Sequence, residues 1–333
     1  MTPPRSTRLT SDARSGQALR ADLHVHTCHS RVSGTLPFLG SRDCYSKPSD
    51  VYRVAKARGM DLVAITDHDS IEGALELLDA RPDASDIIVG EEVSCRLPDG
   101  DIEVHLGVYG MTESLHRQLQ PLRRNVFDVT ARLREAGLLF SLNHLLHFYR
   151  GQIPFDRYLQ LLEEVPALEV RNGTMLAVHN ALIEHIAGQR MAPSPMRRVG
   201  VVAGSDAHTL RRVGSTWTTA PGRTREEFLD SLRQGLGVPG GGHGTTATVA
   251  GDAYGVVARY VAALLGFGPR DLPAWRRGAC LAFAAVTLPF QFAPLVIAAA
   301  GKARERREVA RAAAHLSAAI GSLAPSLPLE SQL

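Results

Sequence analysis

Histidines and carboxylates recur through the first two thirds of this sequence at spacings that suit divalent metal ions. His24 and His26 stand in D-L-H-V-H-T, an i, i+2 pair whose imidazoles would share one side of a strand. T-D-H-D follows at Thr66–Asp69, then G-E-E-V-S with Glu91 and Glu92, E-V-H-L-G with His105, and S-L-N-H with His144. G-S-D-A-H ends the series with a second i, i+2 pair, Asp206 and His208. A single histidine at a strand end is ordinarily a polar residue at a loop mouth, and an isolated HxH or DxH says little. Here every group adjoins a short apolar run, and it is their conjunction that points to metal. Neutral imidazole together with carboxylate suits zinc, manganese or iron. The set exceeds what one tetrahedral ion can use, so two or three divalent ions are expected.

Such residues converge only if their strands lie side by side. Apolar and β-branched runs place strands at Asp22–His26, Leu62–Thr66, Ile87–Val89, Val104–Tyr109, Leu138–Leu142, Leu168–Arg171 and Val201–Ala203. Helical patterns lie between them. One opens at Pro48 and stops at Gly59, one runs from about Leu115 to Ala136, and one over Arg225–Gln234 follows Thr224 as N-cap. Strands alternating with helices predict an α/β fold, a closed or nearly closed β/α barrel with its chemistry at the C-terminal strand ends. Residues 1–20 are polar and basic, without the apolar run of a secretory signal, and read as a disordered lead-in to a cytoplasmic enzyme. The barrel domain would occupy 21–237, the Gly-rich stretch 238–252 a linker, and 253–333 a helical, apolar appendage.

The motif series HxH, TDH, GxE, a middle His, a second strand-end His and a terminal DxH resembles the PHP family, the polymerase and histidinol phosphatase domain. The resemblance covers Ala21 to Gly237. It implies a distorted (β/α)7 TIM-like barrel with a di- or trinuclear metal centre and phosphate-ester hydrolysis. It further implies that His24, His26, Glu92 and Asp206 hold one ion, His68 and His208 a second, and Glu92, His105 and His144 a third. Glu92 rather than Glu91 matches the Gly-x-Glu register set by Gly90. Relatives supply the second ion with one more ligand shortly after HxH, where this sequence has Arg31 and Val32. The segment S-R-D-C at Ser41–Cys44 resembles the family's Ser-x-Asp, which makes Asp43 that ligand after an insertion of about a dozen residues. Asp67 would orient a ligand through a hydrogen bond.

Phosphate-ester hydrolysis needs an activated water, charge neutralisation at phosphorus and a proton for the departing oxygen. His208 or His29 could give that proton. Arg171, in E-V-R-N-G with Asn172 beside it, together with Arg150 and Arg42, could contact the substrate's anionic oxygens, although exposed arginines are ordinarily just solvated. The substrate would be a small phosphorylated metabolite, a nucleotide or a short oligonucleotide. A net charge of +3 over 333 residues does not announce a stable nucleic-acid partner. Cys28, Cys44, Cys95 and Cys280 form neither a disulfide framework nor a CxxC site. A phosphate-cradling Gly-rich loop and a G-x-S-x-G elbow are both absent from the sequence. An amidohydrolase-like metallohydrolase and a non-catalytic metal-binding domain on a membrane anchor are the alternatives. The first is disfavoured by TDH with GxE and no metal-bridging lysine at a strand end, the second by a nearly full ligand set.

Ala279–Ala300 is a run of 22 residues without a formal charge, flanked by Arg276 and Arg277 and by Lys302, Arg304, Arg306 and Arg307. Its length makes it a membrane-span candidate, while Pro289, Gln291 and Pro294 weaken that reading. The competing expectation is a small helical bundle against the barrel. Attachment to the cytoplasmic face of a membrane follows from the first and not from the second.

Overall fold

The computed structural model describes residues 17–31, 39–98, 102–147, 155–191, 199–267, 272–287 and 292–320. Its strands are β1 (Ala18–Asp22), β2 (Leu62–Ile65), β3 (Ile87–Arg96), β4 (Glu103–Tyr109), β5 (Leu139–Leu142), β6 (Ala167–Asn172), β7 (Gly200–Gly204), β8 (Thr216–Pro221) and β9 (Val238–Gly241). The helices that flank and follow them are α1 (Pro48–Ala57), α2 (Glu72–Ala80), α3 (Glu113–Leu119), α4 (Val126–Glu135), α5 (Phe155–Glu164), α6 (Ala177–Met191), α7 (Arg225–Arg233), α8 (Thr246–Leu264), α9 (Ala274–Val286) and α10 (Ala293–Ile320).

One sheet runs β7-β6-β5-β4-β3-β2-β1-β8-β9. The pairs β1–β2, β2–β3, β5–β6 and β6–β7 are parallel, whereas β3–β4 and β4–β5 are antiparallel. β8 pairs with β1 antiparallel over Ala18–Ala21 and leaves it at that point. The chain beyond β1 then meets the chain beyond β7 instead. Val25 bridges Ala207 in parallel, Asp206 N donates to His24 O (2.7 Å), and His26 N donates to Ala207 O (3.1 Å). These bonds nearly close the sheet into the distorted β/α barrel that the sequence implied, and they bring the two i, i+2 motifs together.

Local chemistry accounts for the helix boundaries. α1 carries Pro in its first turn and Asp50 there, and the chain leaves it through Gly59 at φ +77°. α7 is capped by Thr224, whose hydroxyl accepts from Glu227 N. The single helix expected over 115–136 is instead α3, a 3-10 turn at Gln120–Leu122 and α4. Pro121 cannot donate to a helical ladder, and Asn125 restarts the helix as an N-cap, accepting from Phe127 N.

Other expectations shift as well. The strand expected at Asp22–His26 is regular only to Asp22. Val25 N donates to the Thr66 hydroxyl (2.9 Å) in place of a backbone carbonyl, so the ladder is interrupted where the imidazoles lie. β3 extends well past Val89, which puts Glu92 and His105 inside a long antiparallel hairpin rather than at strand ends. The stretch 238–252, expected as a linker, holds β9, whose edge pairs with β8, and the first turns of α8, opened by a Thr245–Thr248 capping box. The segment 279–300 is divided between α9 and α10, and among the described residues no helix is long and apolar enough to cross a membrane.

Candidate metal centre

Strand pleating decides which carboxylate faces the histidines. Glu91 and Glu92 are adjacent, so they point to opposite sides of β3. Glu91 pairs outward with His116 Nδ1 (2.8 Å), while Glu92 lies among imidazoles and is fully buried. Its Oε2 is 3.0 Å from His24 Nε2, 3.4 Å from His26 Nε2 and 3.2 Å from His68 Nδ1. Its Oε1 is 3.3 Å from His105 Nδ1 and 3.0 Å from His144 Nε2. Five rings thus surround one carboxylate. Burial alone would raise the Glu92 pKa, but His24, His68 and His105 hold it well below the usual carboxylate range.

Asp206 faces His24 and His26 from the turn after β7, with His208 beside it. Its Oδ1 lies 3.3 Å from His26 Nε2, 3.5 Å from His24 Nε2 and 3.6 Å from His208 Nδ1. Asp43 comes in from the loop before α1. Its Oδ2 accepts from the Ser30 hydroxyl (2.8 Å) and stands 3.6 Å from His208 Nε2 and 4.0 Å from His68 Nε2. Burial would raise the Asp43 carboxyl, yet His208, His26 and His68 bring it down to about 2. Ligand atoms gather in four sets: His24, His26 and Asp206; His26, Asp43, His68 and His208; His68, Glu92 and His105; and His24, Glu92 and His144. Glu92 is shared as a bridge would be. His26 joins the Asp43 set, and His105 and His144 fall in different sets rather than in one.

The donors fit divalent ions. Among the described residues, neither ring nitrogen of His26 has a hydrogen-bond partner although its side chain is fully buried, and His68 Nδ1 and Asp43 Oδ1 also lack one. A buried polar atom left unpaired costs on the order of 1–3 kcal/mol. Coordination by an ion would satisfy one ring nitrogen of His26, the Nε2 that faces Glu92 and Asp206, and would supply the positive charge that these buried carboxylates call for.

A second ring of residues fixes the donors. Glu169 Oε1 is 2.8 Å from His24 Nδ1; because a carboxylate only accepts there, Nδ1 carries the proton and Nε2 is left to face Glu92 and Asp206. Glu169 Oε2 accepts from His144 N (2.8 Å) and from Asn172 Nδ2 (3.0 Å). Asn143 Nδ2 donates to Glu92 (3.0 Å), and Thr174 Oγ1 donates to Asp206 Oδ2 (2.9 Å). His144 and Asp206 adopt left-handed backbone (φ 25° and 52°), which the bonds to Glu169 and to His24 O hold in place. Gly204 is needed where β7 passes His24, since a Cβ there would stand 2.3 Å from that residue's own Cβ. Motif reading missed Glu169. Its one signal is a lone carboxylate inside the apolar strand L-E-V.

The remaining expected residues lie elsewhere. Asp67 accepts from both the backbone N and the hydroxyl of Thr27 (2.7 Å to Oγ1), so it anchors the turn after His26 rather than a ligand ring; burial, only partly offset by these bonds, raises its pKa to about 7. Arg171 donates twice to Glu184 of α6 (2.6 and 3.0 Å), and it is Asn172 that reaches Asp206 (3.3 Å). His29 pairs with Glu76 of α2 (2.6 Å), and Arg42 donates to Cys28 O. Arg150 lies outside the described residues.

The C-terminal helices reach this centre from outside. Lys302 of α10 donates to Thr174 O (2.5 Å) and to Glu305 (2.6 Å), and Glu305 also accepts from Leu176 N (2.8 Å) and pairs with His179 (3.0 Å). These bonds clamp the loop whose Asn172 and Thr174 hold Asp206. A cavity of about 350 Å3 opens beside His208, between α8 and the start of α1, and Lys47, Arg211 and Arg259 line it.

A model of the PHP-associated family matches residues 197–236, which contain Asp206 and His208. The resemblance read from the motifs therefore extends to a family model over that part of the chain. An uncharacterized protein of Methanocaldococcus jannaschii is 31% identical over 104 residues, 31% of this chain and 57% of that protein. The chain thus spans little more than half of that relative's length. PsfC from Pseudomonas syringae shares the fold at a TM-score of 0.51 and 17% identity, covering 72% of this chain and 98% of that one. A two-domain protein of Bacteroides vulgatus, containing a predicted PHP-like metal-dependent phosphoesterase, aligns at a TM-score of 0.44 and 17% identity over 73% of this chain and 70% of that one.

Proposed function

We propose that this chain hydrolyses phosphate esters with two or three divalent ions held by His24, His26, Asp43, His68, Glu92, His105, His144, Asp206 and His208. The observation that carries the reading is the fully buried His26, whose Nε2 faces both Glu92 (3.4 Å) and Asp206 (3.3 Å) without a hydrogen-bond partner. The PHP-type motif series supports phosphate chemistry over the alternatives. Ions bound there would supply Lewis acidity and the activation of water near neutral pH.

The chain's own residues do the rest. Glu169 and Asn143 keep His24 and Glu92 in one orientation each. Asp67 holds the turn at Thr27. His208 stands at the rim with a quarter of its side chain exposed. From there it can hold an ion with Asp43 and His68, or pass a proton to a departing oxygen. Arg171 would reach a substrate anion only by leaving Glu184. The cavity beside His208, where Lys47, Arg211 and Arg259 outnumber Asp50, is better placed for that contact, and its volume admits a small phosphorylated molecule.

Elemental analysis of purified protein and release of phosphate from an aryl phosphate with added manganese or zinc test this reading. His24→Ala and Asp206→Ala should each lose at least one equivalent of metal and ~100-fold or more in rate. Unchanged turnover in both variants would refute the assignment.

A further inference from the structure

Helices α9 and α10 carry an apolar surface that the barrel does not cover. No residue between Arg277 and Lys302 bears a formal charge. Within that run Phe283, Val286, Phe292, Leu295, Val296 and Ile297 are each between 40% and 76% exposed. A lone exposed leucine needs no explanation, whereas so many neighbouring large apolar side chains mark a surface that something covers.

Length, charge and an aromatic residue together say what covers it. Arg277 to Val286 in α9, and Ala293 to Lys302 in α10, are stretches of nine residue steps each. At 1.5 Å per residue each is about 14 Å long, roughly half of a ~30 Å hydrocarbon core. Neither helix can cross a bilayer, and each matches the depth of one leaflet. Arg276 and Arg277 precede the run, and Arg304, Arg306 and Arg307 follow it. A spanning segment would put these two basic groups on opposite faces of the membrane. A segment that enters and leaves through one leaflet puts both on the same, anionic face. Trp275, 75% exposed beside the first arginine pair, is the kind of residue that sits at the headgroup level. Cys280 and Ala298 mark the side of the run that packs on the protein, and beyond Lys302 the helix turns to it fully, since Lys302, Glu305, Val309 and Ala312 are all buried.

We propose that the apolar ends of α9 and α10 insert together into one leaflet of an anionic bilayer, with the flanking arginines at the phosphates and the barrel at the surface. The proposal stands apart from the chemistry of the metal centre, and its test needs no activity. Full-length protein is floated with vesicles of phosphatidylcholine alone and of phosphatidylcholine mixed with phosphatidylglycerol. The expected result is flotation with the mixed vesicles that weakens as salt is raised. The double variant Val286→Glu, Ile297→Glu should stay unbound while its circular dichroism and unfolding temperature match the parent. Arg306→Glu with Arg307→Glu should weaken binding to mixed vesicles about five-fold or more per arginine. The proposal is overturned by a full-length chain that binds neither vesicle, or by a double variant that floats as well as the parent. It is equally overturned if light scattering finds a dimer that the double variant dissolves while neither protein binds lipid, because a second copy would then cover the surface.

Discussion

Glu169 shows how much one residue outside the ligand set can decide. It touches no other carboxylate of the centre, yet it fixes the tautomer of His24 and the left-handed backbone of His144 in one contact pair. Replacing it with Gln keeps its size and removes its charge. An amide can present its NH2 to the ring and so reverse the His24 tautomer, which turns a protonated nitrogen toward the metals. Glu169→Gln should therefore lower metal affinity 10- to 100-fold in a competition titration, with unfolding changed by no more than ~1 kcal/mol. Equal affinities for both proteins would remove Glu169 from the centre. His208 invites a different comparison. His208→Asn that retains full metal content but loses rate would make it the proton donor; loss of metal together with rate would make it a ligand beside Asp43 and His68.

At the scale of elements, α10 behaves as part of the barrel. Burial alone would raise the Glu305 carboxyl, but His179 and Lys302 outweigh it and hold the group at about 2. A carboxyl whose folded pKa lies below its unfolded value stabilises the fold above pH ~4.5 and loses that contribution as pH falls toward 2. The depression corresponds to at most roughly 3 kcal/mol. Glu305→Gln should thus unfold more easily than the parent at pH 7, and denaturant titration should show the difference shrinking between pH 4.5 and 2. A gap that does not change with pH would mean that packing, and not the ion pair, docks α10. Since Lys302 also holds Thr174, Lys302→Met should reduce metal affinity through Asp206 although it lies outside the centre.

For the molecule as a whole, the ions and the fold should stabilise each other. The proposed ligands come from β3 and β4 and from the segments that follow β1, β2, β5 and β7, so an ion that binds them would tie distant parts of the chain together. Binding only the folded state at a hundred times Kd adds ~2.7 kcal/mol, which for a chain of this size is a rise of a few degrees in Tm. Saturating manganese or zinc should give that rise and a chelator should reverse it. In His26→Ala protein neither effect should appear. A melting temperature indifferent to metal in the parent would argue against a filled centre.

The sequence by itself determined which residue types are offered to the site and the order of β1 to β7, because both are written in local patterns. Spacing paired His24 with His26 and Asp206 with His208, and the resemblance to Gly-x-Glu chose Glu92 over Glu91; the pleat of β3, which separates the two, came from the structure. Helix caps at Thr224 and the stop at Gly59 were legible for the same reason. Convergence was decided only by the tertiary structure. The barrel closes because β8 leaves β1 and β7 takes its place, a switch between partners nearly two hundred residues apart that no local period records. Asp43 reaches His208 through an inserted loop, Glu169 sits under His24 from another strand, and α10 grips the loop beneath Asp206. Hydrophobic periodicity tells a residue which face it occupies; which residues then meet across that face depends on long-range register, and the candidate metal centre is built from such meetings.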